Sequence, residues 1–176
     1  NPSDPFMPIT AISVSLQWLD SLVTFAMPPK TMSIEEAKEV TKGIDNLYLY
    51  KDEGEMLTAF LDTIQDADIL TGWNSEGYDI PYVVNRIQKV LSKDDTRKLC
   101  LWKQLPKKSV FERFGREQET YDLVGRVHLD SLELYRKYTY EERHSYRLDA
   151  IGEHELGEKK TVYEGSLDQL YNQDFR

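Results

Sequence analysis

The segment Ala67–Leu91, ADILTGWNSEGYDIPYVVNRIQKVL, constrains the fold most, because its hydrophobic period changes within a few residues. The run Ala67–Trp73 is short and apolar, and it predicts a strand in the centre of a sheet. After Asp79, apolar residues recur at helical spacing with Pro81 in the first turn, which predicts an amphipathic helix. A strand that leads through a polar turn into such a helix indicates a layered domain in which helices cover a sheet.

The rest of the chain also mixes strand and helix patterns. Ser33 and Glu36 have the spacing of a capping box at the start of a short helix. The predicted strands are Ile9–Leu16, Leu22–Met27, which forms a hairpin with the first, and Asn46–Tyr50. The predicted helices are Glu53–Gln65, Leu132–Tyr138, Tyr146–Leu156 and a last one capped by Ser166. We therefore expect one α/β (α+β) domain over residues 1–176, with a mixed sheet and flanking helices.

A second hairpin is predicted between Ser109–Phe114 and Thr120–Leu129, on either side of the sequence GREQ. Its tip, around Gly115 and Arg116, carries no apolar residue to bury, so it is expected to be exposed and mobile.

Composition excludes some classes of protein. The net charge of −9 and pI near 4.9 argue against a general nucleic-acid coat, which would be basic, but not against a local nucleic-acid site. The single cysteine, Cys100, allows no internal disulfide and is expected to be a buried apolar residue. No apolar run has transmembrane length, so no membrane partner is expected.

Two interpretations of Asp79 are open on local grounds. An Asp just before a helix with an early proline is typical of an N-cap, and this interpretation is favoured by the local sequence alone. The turn also follows a short strand, where α/β sheets commonly place ligand sites. It brings Trp73 and Tyr78 for stacking and Asn74 for hydrogen bonding, which suits a metal site that acts on a nucleotide.

The segment TGWNSEGYDIPYVVNRI resembles the second exonuclease motif of family B DNA polymerases. The matching residues are Asn74, Tyr78, Asp79, Pro81, Tyr82 and Arg86. Further segments in the same order resemble that family: PITAIS, GRVHLDSLELY and SYRLDAIGEHEL. The long form of the motif is most similar to replicative polymerases of tailed, myovirus-type bacteriophages.

The resemblance implies a ribonuclease H-like fold and 3′–5′ proofreading, with two Mg²⁺ or Mn²⁺ ions that hydrolyse a phosphodiester. It implies that Asp79 is catalytic and binds metal, and that Asn74 and Tyr78 border the single-stranded 3′ end, with Trp73 beside them. The hairpin is expected to face the primer–template junction through Arg113 and Arg116. Further partners implied are primer–template DNA and a sliding clamp, the clamp through parts outside this chain. The expected location is the cytoplasm of an infected bacterium.

The family's first and third exonuclease motifs, Asp-x-Glu and Tyr-x-x-x-Asp, are not found in the sequence. We therefore expect a piece of a longer polymerase, truncated at both ends. Because one carboxylate cannot hold two metals, the isolated chain is expected to be inactive, and an exposed sheet edge makes a dimer of it plausible.

Other candidate residues have simpler explanations. His128, His144 and His154 lack metal-ligand spacing, and Asp130 is more often structural or capping than a ligand. Lysines near the hairpin suit either a solvated surface or contact with DNA phosphates. Two rival functions are a stand-alone exonuclease of the same superfamily and a non-catalytic nucleic-acid-binding module of the same fold. Flanking sequence that lacks polymerase motifs would favour the first.

Overall fold

The computed structural model describes residues 1–113, 116–173 and 175, and of residues 111, 113 and 116 it describes the backbone alone. The predicted hairpin tip around Gly115 therefore lies outside the described residues. The described part of the chain contains seven strands and six α-helices. No helix in that part is long and apolar enough to cross a membrane.

The first sheet is mixed, as predicted. Strand β1 (Ala11–Leu16) pairs antiparallel with β2 (Ser21–Ala26), and a 3₁₀ turn at Gln17–Leu19 joins them. Strand β3 (Leu47–Leu49) adds to the other side of β2 in parallel. The predicted hairpin between the first two strands is thus confirmed.

Two helices pack beside this sheet, and each begins at a polar cap. Helix α1 (Ile34–Val40) starts after Ser33, which forms the predicted capping box with Glu36. Helix α2 (Glu53–Thr63) starts after Asp52, whose carboxylate accepts a hydrogen bond from the third backbone N–H of the helix. These side chains satisfy backbone donors that the first helical turn leaves free.

Strand β4 (Ile69–Gly72) and strand β7 (Val127–Asp130) run parallel and in register from Ile69 opposite Val127 to Gly72 opposite Asp130. Within the described residues β4 pairs with β7 alone, so the prediction of a central strand was wrong there. The carboxyl ends of both strands therefore meet at one edge, which we call the strand edge.

Helix α3 (Asp79–Val90) follows β4 and buries its apolar face. The core formed with α2 contains Leu57, Leu61, Val84 and Ile87, none of which is exposed to solvent. Cys100 is buried in the same core, as predicted. Such burial contributes on the order of 1.5–3 kcal/mol per large side chain and fixes α3 against the domain.

The charged face of α3 carries a buried ion pair. Arg86 donates from two nitrogens to both carboxylate oxygens of Glu53, each at 2.6 Å, and the two side chains are 12% and 9% exposed. Glu53 also accepts from the backbone N–H of Ile9, and Arg86 donates to the carbonyls of Pro5 and Phe6. This ion pair therefore links helix α2 to helix α3, and its further hydrogen bonds link both helices to residues 5–9 at the start of the chain.

The second hairpin is formed by β5 (Lys107–Arg113) and β6 (Arg116–Asp122). The predicted strand Thr120–Leu129 is in fact two strands, because the chain turns between β6 and β7. Gly125 adopts a positive φ of 87° in that turn, and a Cβ there would lie 2.7 Å from Leu101. The break lets β7 leave the hairpin and pair with β4.

Arg126 fixes the start of β7. Its guanidinium is buried and donates to the carbonyls of Ile64, at 2.6 Å, and Ala67, both just beyond the end of α2. It also donates to the carbonyl of Gln65 at 2.9 Å. One side chain thus bonds three carbonyls of the segment that follows α2.

Three further helices complete the described chain: α4 (Ser131–Tyr138), α5 (Leu148–Leu156) and α6 (Leu167–Gln173). All three correspond to predicted helices. Ser166 accepts a hydrogen bond from the backbone N–H of Gln169, as expected of a cap.

Candidate functional site

The strand edge collects polar residues from segments that are far apart in sequence. The loop of residues 73–78 leaves β4 there and enters α3, while β7 ends there at Asp130 and enters α4. Parallel strands of α/β domains commonly place ligand sites at this position. The predicted site residues Trp73, Asn74, Tyr78 and Asp79 all lie on this loop or directly after it.

Asp130 holds the loop in place. Its Oδ1 accepts hydrogen bonds from the backbone N–H groups of Asn74, at 3.0 Å, and Leu132, at 2.9 Å. Its Oδ2 accepts one from the N–H of Glu76 at 2.9 Å. Asp130 is buried and caps α4, so the structure agrees with a structural and capping role for this residue.

Ser75 is the buried centre of the loop. Its hydroxyl lies 2.9 Å from Nε2 of His128, and it packs against Gly72 so closely that a Cβ at position 72 would lie 2.9 Å from the Ser75 Cβ. Asn74 has a φ of 58°, in the left-handed region. Packing and hydrogen bonds therefore fix this loop in a tight conformation.

Asp79 is the first residue of α3, and Tyr78 occupies the cap position without a side-chain cap. The N-cap interpretation of Asp79 is therefore wrong by one residue. Asp79 is exposed, and among the described residues no other residue donates a hydrogen bond to its carboxylate. A carboxylate at a helix start gains from the helix dipole, but its oxygens remain open to a ligand.

The surroundings of Asp79 disfavour its negative charge. Partial burial is the largest cause that raises the pKa of the Asp79 carboxyl, and the Asp130 carboxylate raises it further. The backbone N–H of Asp79 and the nearby His128 lower the pKa of this carboxyl, but by less. Such a carboxylate in an accessible position is a candidate functional group, because a bound cation would offset both unfavourable effects.

We expect Asp79→Asn to stabilise the cation-free chain at neutral pH. A carboxyl with a raised pKa in the fold binds more protons folded than unfolded, so its ionised form opposes folding above that pKa. The stabilisation should disappear as pH falls through the raised pKa towards the ordinary carboxyl value. Thermal unfolding in EDTA across this range measures it.

The control is Asp45→Asn, an exposed carboxylate away from the strand edge. Its effect should not follow the pH dependence of the Asp79 variant. If Asp79→Asn were less stable than the wild type at neutral pH and equally stable in acid, the ionised Asp79 carboxylate would stabilise the fold. That result would contradict the prediction.

The aromatic residues of the loop differ in accessibility. Tyr78 is 50% exposed and stacks on Tyr82, with ring centroids 5.8 Å apart. Trp73 is half-buried, donates from Nε1 to the carbonyl of Tyr146 at 3.1 Å and packs against Tyr135. Tyr78 therefore offers an open ring face more readily than Trp73, whose predicted DNA contact stays a prediction.

The hairpin reaches the loop through Thr120, whose hydroxyl donates to the carbonyl of Glu76 at 3.2 Å. Within its basic region, Lys108 pairs with Glu119 at 2.5 Å, which neutralises part of the charge. The side chains of Arg113 and Arg116 lie outside what the structure describes, so their predicted contacts with DNA stay predictions.

Sequence reasoning missed a cleft of about 680 Å³ beside Trp73 and Asn74. Three cationic residues from separate segments line it: Arg136, Arg147 and Lys160. Arg136 lies over the ring of Tyr146 at 4.5 Å. No sequence pattern links these positions, because only the packing of α4 and α5 brings them to the loop.

The described residues do not form a complete metal centre. They contain no group of three or more His, Cys, Asp or Glu residues that could hold an ion. Near Asp79, three N–H groups occupy the oxygens of Asp130, and Ser75 contacts Nε2 of His128. Asp79 therefore offers an open carboxylate at this edge, and the exposed Glu76 lies on the same loop.

Fold and site together define a class: α/β domains that place a ligand site where parallel strands end. Within this class, residues 1–151 match the family model described as "DNA polymerase family B, exonuclease domain". The chain belongs to this family. The family's exonuclease domain has a ribonuclease H-like fold, so the predicted fold and family are confirmed, and such domains generally use divalent metals.

The relatives include viral and cellular polymerases. The chain is 35% identical over 123 residues to the DNA-directed DNA polymerase of Escherichia phage RB69, and 28% identical over 144 residues to that of Enterobacteria phage T4. These alignments cover 69% and 79% of this chain. The DNA polymerase delta catalytic subunit of Candida albicans is 33% identical over 129 residues, which is 69% of this chain and 12% of that protein. The phage resemblance is thereby confirmed.

The chain spans only 14% and 16% of the two phage polymerases.

Proposed function

We propose that residues 1–176 are the central part of the 3′–5′ proofreading exonuclease domain of a phage-type DNA polymerase. In that enzyme the site removes a mismatched nucleotide from the 3′ end of single-stranded DNA. The position of Asp79 supports this proposal most directly. It matches the Asp of the exonuclease motif, and it carries an exposed carboxylate with free oxygens at the strand edge.

In the whole enzyme Asp79 would be one of the carboxylates that hold Mg²⁺ or Mn²⁺. The bound ions supply a reactive water and neutralise charge on the leaving oxygen. This chain would contribute one ligand, and the remaining ligands would come from the first and third exonuclease motifs. The accessible position of Asp79 and its unfavourable charge environment suit this role.

The loop residues would bind the DNA end. Tyr78 would stack on a base, since its ring is half-exposed and already supported from one side by Tyr82. Asn74 and Trp73 would border the same strand, and Arg113 and Arg116 would contact phosphates of the primer–template junction. A sliding clamp would bind through other parts of the polymerase, which would act in the cytoplasm of an infected bacterium.

Two other functions predict different outcomes. A stand-alone exonuclease would degrade DNA without extending it. A non-catalytic binding module would bind single-stranded DNA but show no nuclease activity even with its flanking segments present. Incubation of the longer protein with a primer that has a 3′ mismatch, with and without nucleotides, distinguishes all three.

We expect the purified 176-residue chain to fold but not to cleave DNA. Its core is built from residues within the chain, whereas the described residues hold no group of three or more potential metal ligands, and a pair of hard cations needs several carboxylates. The test is incubation of the chain with 3′-labelled single-stranded DNA and Mg²⁺ or Mn²⁺, beside an Asp79→Ala control. Circular dichroism monitors folding, and sedimentation tests the proposed dimer.

Loss of 3′ nucleotides that needs metal and is absent in the Asp79→Ala control would contradict the expected inactivity. It would mean that other carboxylates of this chain complete the metal centre.

A further inference from the structure

Asp130 lies outside the residues that the proposed function uses, yet it is connected to Asp79 through the loop backbone. It is buried, and its two oxygens accept three backbone hydrogen bonds, two of them from Asn74 and Glu76. Because these backbone N–H groups already occupy both oxygens of the buried carboxylate, Asp130 is poorly placed to bind substrate. Its contacts indicate instead that it determines the shape of the loop.

The hydrogen bonds continue from the loop into the first turn of α3. The carbonyl of Asn74 accepts from the N–H of Tyr78 at 3.1 Å, and the carbonyl of Ser75 accepts from the N–H of Ile80 at 2.9 Å. These two donors belong to the residues on either side of Asp79. The position of the Asp79 backbone therefore depends on a loop that Asp130 holds.

The loop needs such a restraint. Asn74 is in the left-handed region, which Asn adopts more readily than other non-glycine residues, and the peptide N–H groups of Asn74 and Glu76 point to the buried Asp130. Without an acceptor at position 130, two inward N–H groups would lose their partner. A buried N–H without an acceptor is unfavourable, so the loop would rearrange to expose these groups to water.

We propose that Asp130 is a positioning residue of the exonuclease site, which sets the placement of Asp79 and Tyr78 through the backbone of residues 74–76. This inference rests on the proposed function for its catalytic consequence, but the hydrogen bonds can be tested without it. Asp130 is the last residue of β7, and the loop follows directly after β4. Asp130 can therefore hold the loop only when β4 and β7 are paired.

The first experiment uses the metal-free 176-residue chain and measures amide hydrogen exchange residue by residue. In Asp130→Ala we expect faster exchange at Glu76, Tyr78 and Ile80, and unchanged exchange in β1 and β2. Asp130→Asn, which keeps one acceptor oxygen, should show a smaller increase. Unchanged exchange at Glu76 and Tyr78 in Asp130→Ala would overturn the proposal.

The second experiment uses the polymerase that contains this chain and compares kcat with KM for single-stranded DNA. We expect Asp130→Asn to lower the exonuclease kcat by about 10–100-fold, the usual effect of losing a group that orients a ligand, with little change in KM. Nucleotide incorporation by the same preparation gives the folded fraction. An unchanged exonuclease kcat in this variant would overturn the proposal.

Ser33→Ala is the matched control, because it removes a side-chain helix cap in α1, away from the strand edge. It should lower stability without lowering kcat. If Asp130→Asn behaved like Ser33→Ala, Asp130 would be a cap and nothing more. If it abolished activity as fully as Asp79→Ala does, Asp130 would act at the reacting atoms, and the positioning role would be wrong.

If the wild-type polymerase had no exonuclease activity, the proposed function would fail. The exchange data would still decide whether Asp130 holds the loop.

Discussion

Replacing Asp79 by alanine in the polymerase that contains this chain is expected to lower its exonuclease rate by about a thousandfold or more. Under the proposed function, the substitution removes a ligand from cations that contribute several kcal/mol to the transition state, and each 1.36 kcal/mol is a factor of ten in rate. Nucleotide incorporation should change little, because it uses another site. Single-turnover digestion of 3′-labelled single-stranded DNA, beside primer extension, measures both activities.

Asp62→Ala is a suitable control, since this exposed carboxylate pairs only with Lys98 in the described structure, at 2.8 Å. It should leave both activities near the wild-type level. A polymerase with Asp79→Ala that still degraded single-stranded DNA at the wild-type rate would contradict the assignment of this residue to the metal site.

Replacing Arg86 by methionine is expected to destabilise the chain by about 3–5 kcal/mol. The change leaves the Glu53 carboxylate buried without its bidentate partner, and it removes the donors to the carbonyls of Pro5 and Phe6. For a chain of this size the loss corresponds to a fall in Tm of roughly 6–20 °C. Calorimetry or thermal circular dichroism of the 176-residue chain measures it.

Lys89→Met tests the same helix at an exposed ion pair, Lys89 with Asp4 at 3.4 Å, and should have little effect. The double variant Glu53→Gln with Arg86→Met should recover part of the stability, because the uncompensated charge is gone. A fall in Tm for Arg86→Met no larger than for Lys89→Met would show that the Glu53–Arg86 pair contributes little.

Local patterns predicted the local structure. The capping box at Ser33 and the amphipathic helix after Asp79 depend on residues within a few positions of one another, so the sequence alone indicates them. The site residues Asn74, Tyr78 and Asp79 were found because they form one contiguous motif on that helix and its preceding turn.

Features that depend on distant partners were not predictable in the same way. The apolar pattern from Thr120 to Leu129 looks continuous, but Gly125 and the buried Arg126 divide it into two strands. Helix α3 starts one residue before the position that the predicted cap implies, after a loop whose N–H groups bond to Asp130, more than fifty positions away. The cationic cleft beside Trp73 likewise forms only when α4 and α5 pack against the loop.

The pairing of β4 with β7 also has a consequence for the time course of synthesis. Ile69 faces Val127, which the ribosome adds more than fifty residues later. At about 5–20 residues per second, Ile69 is synthesised roughly 3–12 s before its strand partner. Closing so long a loop is also entropically costly, so this contact forms late. A nascent chain can therefore form the first hairpin and helices α1, α2 and α3 before the loop of residues 73–78 takes its final shape.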